Sequence, residues 1–293
     1  MKPAPFEYYA PETLQEAIAL LAGFEEDGVE AKILAGGQSL MPMLSIRVAR
    51  PDVLVDLRKL RLLDYIRDDG ETIAIGAMAT KRAAEDSSLV RERQPLFHAA
   101  TLNIGHRQIR SQGTVGGSFA HADPAAEYPA AAIALDMRMK AVGPQGERTI
   151  DARDFFVTYL TTDLASSEIL TEVCMPVLAA GTGWSFREVS RRKGDFALAG
   201  AAVLLSLAGG RIAGVRIVVF GVNATAVRLP SAEQLVLGQA PDDALFREAG
   251  LAGAAEVEEP LADVHASADF RRHLVSVVVA RGLAEALSRA RPS

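Results

Sequence analysis

The sequence predicts an α+β fold in two parts, and three observations carry that reading. Up to Pro176, short strand-like runs are mixed with helical ones. A small-residue stretch, Ala179-Ala-Gly-Thr-Gly183, then reads as a linker. Beyond it, two long apolar runs joined by Gly209-Gly210 precede two helical segments. The expected division is therefore 1–176 and 177–293, and no internal repeat is found.

The elements follow in order. Thr13-Leu-Gln-Glu16 has capping-box spacing, and Leu14, Ala17, Ile18 and Leu21 then fall on one helical face. Lys32-Ile-Leu-Ala35 reads as a buried strand running into a tight turn at Gly36-Gly37. Val53–Leu57 is a second strand. Asp69-Gly70, set between alternating apolar positions of Tyr65–Ile75, marks a hairpin. Met137–Val142 and Arg148–Ile150, flanking Gly143-Pro-Gln-Gly146, mark another. Helical or loop segments fill Thr80–Gly113, and Ile169–Met175 is a strand stopped by Pro176. Leu198–Leu207 and Arg211–Val222 are read as neighbouring antiparallel strands. Asp242–Glu256 is a helix, and so is Asp269–Ala290, with Phe270, Leu274, Val277 and Val278 on one side. The C-terminal part is then a small sheet covered by helices.

Composition narrows the function. Hydrophobic residues make up 49 % and charged residues 23 % of 293, which excludes a disordered or low-complexity chain. Lys plus Arg number 31 against 37 Asp plus Glu, a net charge of −6, which speaks against nucleic acid as a partner. The single cysteine, Cys174, excludes an intramolecular disulfide framework, and no Cys/His cluster has metal-ligand spacing. The N-terminus shows no apolar signal region. The longest uncharged stretch, Phe196–Gly210, is shorter than the roughly 20 residues of a membrane span. The expected location is cytoplasmic, with membrane contact at most peripheral.

The chemically informative residues lie in two glycine segments, Ala35-Gly-Gly-Gln-Ser-Leu40 and Gly113-Thr-Val-Gly-Gly-Ser118. Glycine has no Cβ and tolerates positive φ, so a ligand can approach the backbone closely. Successive N–H groups in such a turn form a concave anion site, with Gln38, Ser39, Thr114 and Ser118 as further donors. Two such turns brought together would hold both phosphates of a dinucleotide. A single Gly-Gly pair is ordinarily just a tight turn. Neither segment is a G-x-G-x-x-G fingerprint or a P-loop, so a conventional Rossmann or P-loop site is not supported.

The wider sequence around both turns resembles a known family. Ala31-Lys-Ile-Leu-Ala-Gly-Gly-Gln-Ser-Leu-Met-Pro-Met43 and Gln108–Glu127 (QIRSQGTVGGSFAHADPAAE) look like the two flavin-binding segments of the FAD-binding medium subunits of molybdenum hydroxylases, the carbon monoxide dehydrogenase and xanthine dehydrogenase family. Asp52–Leu57, Ile75-Gly-Ala-Met78, Arg191–Ala197 and Asp269–Leu274 are similar to further blocks of that family, so the resemblance spans almost the whole chain. It implies a FAD-binding region of the vanillyl-alcohol oxidase (PCMH) type, then a C-terminal domain with a three-stranded antiparallel sheet and helices.

The same resemblance implies non-covalent FAD. Its pyrophosphate would be held by Ala35, Gly36, Gly37, Gln38 and Ser39 together with Gly116 and Gly117, with Lys32, Ile33, Leu34 and Leu40 as further cofactor-binding positions. Lys32 would offset phosphate charge. Ile104 would pack on the cofactor; Thr114 and Ser118, beside Val115, would donate hydrogen bonds; Asp123 or Glu127 would accept from ribityl or ribose hydroxyls. Leu170, Arg187, Lys193 and Phe196 match positions around the isoalloxazine, where a ring at Phe196 would limit oxygen access. Two departures stand out. Ser118 replaces the usual Asn, losing an amide donor, and Arg110-Ser-Gln-Gly113 replaces Arg-Asn-Arg-Gly.

Blander readings compete for several of these residues. Asp123-Pro124 reads as a helix start, Asp as N-cap and Pro in the first turn, rather than as part of a metal site with His121 and Glu127. Arg191-Arg-Lys193 is equally a solvated basic run. Cys174 is read as a small buried hydrophobe. His98, His106, His265 and His273 form no nucleophile–base constellation, and no catalytic residue is assigned.

The resemblance implies an electron-transfer subunit. Its partners would be a molybdenum-cofactor large subunit and a 2Fe-2S small subunit, in a heterotrimer that dimerises. FAD would pass electrons from the clusters to an external acceptor. The chain itself lacks the cysteines for a cluster. The rival is a stand-alone flavin oxidase of the vanillyl-alcohol type, for which the C-terminal part is small; a third reading is a non-enzymatic binding module.

Overall fold

The structure, a computed structural model, describes residues 2–291. The chain opens with β1 (Glu7–Tyr9), α1 (Leu14–Glu26), β2 (Ala31–Leu34), α2 (Leu40–Ser45) and β3 (Val53–Asp56). The three strands form a parallel sheet in the order β1-β3-β2. Thr13 caps α1 as its spacing requires: its hydroxyl accepts from Glu16 N at 3.1 Å, while the Glu16 carboxylate accepts from Glu12 N at 2.7 Å. Ala17 and Leu21 of α1 bury against Val53, Val55 and Leu57.

The middle of the chain is a five-stranded antiparallel sheet with helices on one face. β4 (Ile66–Asp68) and β5 (Thr72–Gly76) make the Asp69-Gly70 hairpin, with Gly70 at φ +82°. Six helices follow: α3 (Lys81–Asp86), α4 (Ser88–Arg93), α5 (Pro95–Asn103), α6 (Arg107–Gln112), α7 (Val115–His121) and α8 (Glu127–Ala134). The second hairpin is β6 (Arg138–Gly143) with β7 (Gly146–Asp151). The short α9 (Ala152–Phe155) and the β8 (Phe156–Thr158)–β9 (Thr161–Thr162) pair lead to β10 (Ile169–Pro176). β10 sits in the middle of the order β4-β5-β10-β6-β7. On its inner face Val173 and Met175 join Ile73, Ile75, Met139 and the stacked rings of Phe97, Tyr128 and Phe119. On the outer face the Glu172 carboxylate gathers Tyr65, Lys140, Arg67 and Cys174. Cys174 is thus half-buried on a polar face rather than a core hydrophobe, and burial plus the Glu172 contact push its thiol up to about 11.

The C-terminal part comprises β11 (Gly183–Ser190), β12 (Ala197–Ala208), β13 (Arg211–Phe220), β14 (Val227–Arg228), α10 (Pro230–Val236), α11 (Asp243–Glu256) and α12 (Ala268–Arg289). Its antiparallel sheet runs β11-β12-β13-β14: the three expected strands plus a two-residue edge. Both faces are covered. Ala199, Ala201, Val203 and Leu205 face α12, whereas Ala202, Phe186, Val218 and Phe220 join the core that holds Tyr128. Burial on both sides explains why β12 reads as an unbroken apolar run instead of alternating.

One helix face differs from expectation. In α12 the buried stripe is Arg271, Leu274, Val275, Val278, Val279, Gly282, Leu283 and Ala286, while Phe270 is 45 % exposed. The stripe is turned because Arg271 goes inward. Its Nη1 donates to the carbonyls of Leu198 and Gly221, each at 2.6 Å, and its Nη2 pairs with Asp263 at 2.6 Å.

Candidate functional site

The two glycine segments meet. Gly36 follows β2, and a Cβ built on it would lie 2.3 Å from the Gln112 carbonyl oxygen, 2.7 Å from Gly113 Cα and 2.8 Å from Thr114 N. All three are main-chain atoms, so only glycine lets the backbones touch. Across the same seam, a Cβ on Gly117 would come within 2.7 Å of Thr114 Oγ1 and 3.4 Å of Ala35 Cβ. Gly116 packs the second segment onto Ala77, just past the end of β5.

The donors are not shared equally between the segments. Among the described residues, the N–H groups of Gly36, Gly37, Gln38, Ser39 and Leu40 find no acceptor, and Gly37 at φ +70° turns the chain into α2. In the second segment the four N–H groups from Val115 to Ser118 are engaged. Val115 N donates to Ala79 O at 2.8 Å, Gly116 N to Ala77 O at 2.9 Å, Gly117 N to Thr114 Oγ1 at 3.1 Å and Ser118 N to Thr114 O at 3.2 Å. Gly116 and Gly117 are therefore the first turn of α7, capped by Thr114, and not an open bend with free donors. The first loop supplies the N–H groups; the second supplies close approach.

The other expected residues fall into three sets. Ile33 and Leu34 pack into the clusters on the two sides of the small parallel sheet, Leu40 lies beside Leu34, and Lys32 is exposed. Ile104, Val115 and Leu170 belong to the central core. Lys193 and Phe196 lie on the exposed β11–β12 loop, Phe196 at 69 %. At Gly194 that loop presses on His106 and the Gly105 carbonyl, next to Ile104. Arg187 is not brought in. It pairs with Glu285 of α12, on the face of β11 that also holds Ser185 against Gly282. Strand alternation sends its neighbour Glu188 to the other side. Asp123 caps no helix either: its Oδ1 accepts from Ala125 N at 2.8 Å in a turn before α8, whose N-cap is Ala126. Gly221 N donates to Pro124 O at 2.8 Å, tying this turn to the end of β13.

Beside the seam lie ionisable groups, two of which pattern reading passed over. Glu127 is 8 % exposed, and burial pushes its carboxyl up to about 7. Glu188 is pushed up to about 8 by burial and by the charge of Glu127. Burial lowers the pKa of Lys81 against the opposing pull of Glu127, and lowers that of His121. In sequence Lys81 is an ordinary lysine one position past the Thr80 cap, and Glu188 an ordinary strand acid. Only strand parity and the position of α3 reveal them.

A backbone cradle that a methyl group would fill, five free N–H donors and buried unpaired charges fit a phosphate-bearing cofactor. Residues 4–178 match the family described as the FAD binding domain in molybdopterin dehydrogenase. The chain belongs to this flavoprotein family. Residues 184–286 match its companion, the CO dehydrogenase flavoprotein C-terminal domain, and FAD is the cofactor of the flavoprotein. It is 39 % identical to the alpha subunit of the 6-hydroxypseudooxynicotine dehydrogenase complex of Paenarthrobacter nicotinovorans, over 100 % of this chain and 98 % of the relative. To the carbon monoxide dehydrogenase medium chain of Hydrogenophaga pseudoflava it is 37 % identical over 99 % of both chains. A solved carbon monoxide dehydrogenase from that organism, lacking the Mo-pyranopterin moiety, superposes with a TM-score of 0.94 at 38 % identity, covering 99 % of this flavoprotein and 100 % of the matched chain. No helix among the described residues is long and apolar enough to cross a membrane.

Proposed function

We propose that this chain is the FAD-bearing electron-transfer subunit of a molybdenum-containing hydroxylase or dehydrogenase. The observation that carries the reading is the seam at Gly36, where two distant segments meet and leave Gly36–Leu40 with unspent N–H groups. These groups would donate charge-assisted hydrogen bonds to the diphosphate oxygens. Gly117 leaves room beside them, the Thr114 and Ser118 hydroxyls and Gln38 add donors, and Lys32 contributes positive charge. Asp123 and Glu127 would accept from ribityl or ribose hydroxyls. Ile104 and Leu170 offer apolar wall, and the Lys193–Phe196 loop covers the redox end. When bound, FAD supplies one- and two-electron chemistry that joins single-electron donors to an external acceptor.

The partners that complete the reaction are a molybdenum-cofactor large subunit and a 2Fe-2S small subunit, in a heterotrimer that dimerises in the cytoplasm. The names of the relatives, a complex subunit and a medium chain, support the assembly. We also place the domain border at 176/177, where β10 ends. The test has two steps. Purified chain should carry a flavin band near ~450 nm, and tagged chain should co-purify with a molybdenum and an iron–sulfur subunit. A chain that isolates alone, binds FAD and oxidises an organic substrate unaided would overturn the subunit reading.

A further inference from the structure

We propose that Lys81 is a cofactor-binding residue, its ammonium group directed at an electron-rich oxygen of FAD, a phosphate or a flavin carbonyl. The inference rests on the FAD reading above and adds a residue to it. Lys81 opens α3, and its N–H donates to Gly113 O at 2.8 Å. Its Cδ lies 3.6 Å from where a Gly113 Cβ would stand, so the glycine seam runs directly over the lysine stem. The residue is 8 % exposed. Lysines are almost never buried this far without a partner, because an unpaired ammonium loses its hydration.

Yet Lys81 makes no ion pair and no side-chain hydrogen bond among the described residues; its Nζ stands 5.9 Å from the centre of the Tyr128 ring. Glu127 of α8 is close enough to be felt electrostatically but not to pair, and its carboxylate accepts only from its own backbone N–H, with no side-chain partner. Glu188 of β11 in turn feels Glu127, and its Oε2 is buried and unpartnered. His121 of α7 senses both Lys81 and Asp123. Arg110 of α6, the other cation that acts on Glu127, is already committed to Glu85 at 2.7 Å and to the Ile104 carbonyl at 2.9 Å. Ionisable groups from four elements, α3, α7, α8 and β11, and from both parts of the chain thus converge beside the seam without pairing with one another. A bound group with acceptor oxygens for Lys81 and hydroxyls for the carboxylates completes them.

Lys81→Met keeps the length of the side chain and removes the charge. It should raise the Kd of FAD roughly ten- to a hundredfold, the range of a lost charge-assisted hydrogen bond. Because the buried ammonium is gone, the FAD-free variant should melt at or above the wild-type temperature, a sign that a merely structural lysine would not give. Lys81→Gln, which keeps a donor without charge, should fall between. ADP and riboflavin distinguish the two oxygens: weaker ADP binding assigns Lys81 to phosphate, weaker riboflavin binding to the flavin carbonyl. Wild-type FAD affinity in Lys81→Met, or loss of FAD binding in step with loss of FAD-free stability, overturns the proposal. Failure of the wild-type chain to bind FAD would instead overturn the functional reading beneath it.

Discussion

Replacing Gly36 with alanine tests the seam directly. The new methyl carbon would sit 2.3 Å from Gln112 O, 2.7 Å from Gly113 Cα and 2.8 Å from Thr114 N. Ordinary van der Waals contact begins near 3.4 Å, so the two segments must part by about 1 Å. Neither side yields readily. Gly113 is held by its N–H to Ile109 O at 2.7 Å and by its carbonyl to Lys81 N at 2.8 Å, and the Gly36 side runs into β2 of the parallel sheet. Overpacking of this kind costs about 1–3 kcal/mol, a fall in melting temperature of roughly 2–10 °C for a chain of this size. FAD affinity should fall at least about tenfold, because the displaced loop carries the donors and each charge-assisted bond contributes ~1.5–3 kcal/mol. Gly23→Ala is the control: it sits inside α1 with nothing within 4 Å of its Cβ position and should gain ~0.5–1 kcal/mol. The readings are thermal denaturation and a fluorescence titration with FAD. A Gly36→Ala protein with wild-type melting temperature and wild-type Kd would refute the reasoning.

Other expectations follow from the same geometry. Glu127 and Glu188 hold their protons up to about 7 and about 8 when folded, against an ordinary 4.5. The stability they contribute is complete below about 4.5 and is lost as pH rises through about 7 and 8. The FAD-free chain should therefore show melting temperatures that decline over that window, and Glu188→Gln should flatten the upper part; an unchanged slope in the variant contradicts the assignment. Arg271→Met orphans the buried Leu198 and Gly221 carbonyls and should lower stability by ~2–5 kcal/mol in urea titrations. Phe196→Ala removes a ring that is 69 % exposed, so stability should change by less than ~0.5 kcal/mol while oxygen reoxidises the reduced flavin faster. Stopped-flow reoxidation at the wild-type rate would dismiss the shielding role.

Where neighbours in sequence are neighbours in space, the sequence alone was sufficient. The Thr13 cap, the Asp69-Gly70 hairpin, the halt of β10 at Pro176 and the paired runs of β12 and β13 are set by φ/ψ preference and by side-chain period. Both glycine segments were visible for the same reason. Their partners were not. That Gly36 needs to be glycine because of Gln112 and Thr114 is a contact between distant positions, and that Gly116 and Gly117 spend their N–H groups depends on Ala77 and on the cap at Thr114. The turned face of α12 depends on carbonyls of two strand ends that recruit Arg271. Arg187 and Glu188 are adjacent in sequence and opposite in space; only the strand's placement between α12 and the core decides which faces inward. Local pattern thus determined the elements and the kind of cofactor loop. Tertiary structure decided which charges lose their water, because burial is a property of the whole packed chain and of no short stretch of it.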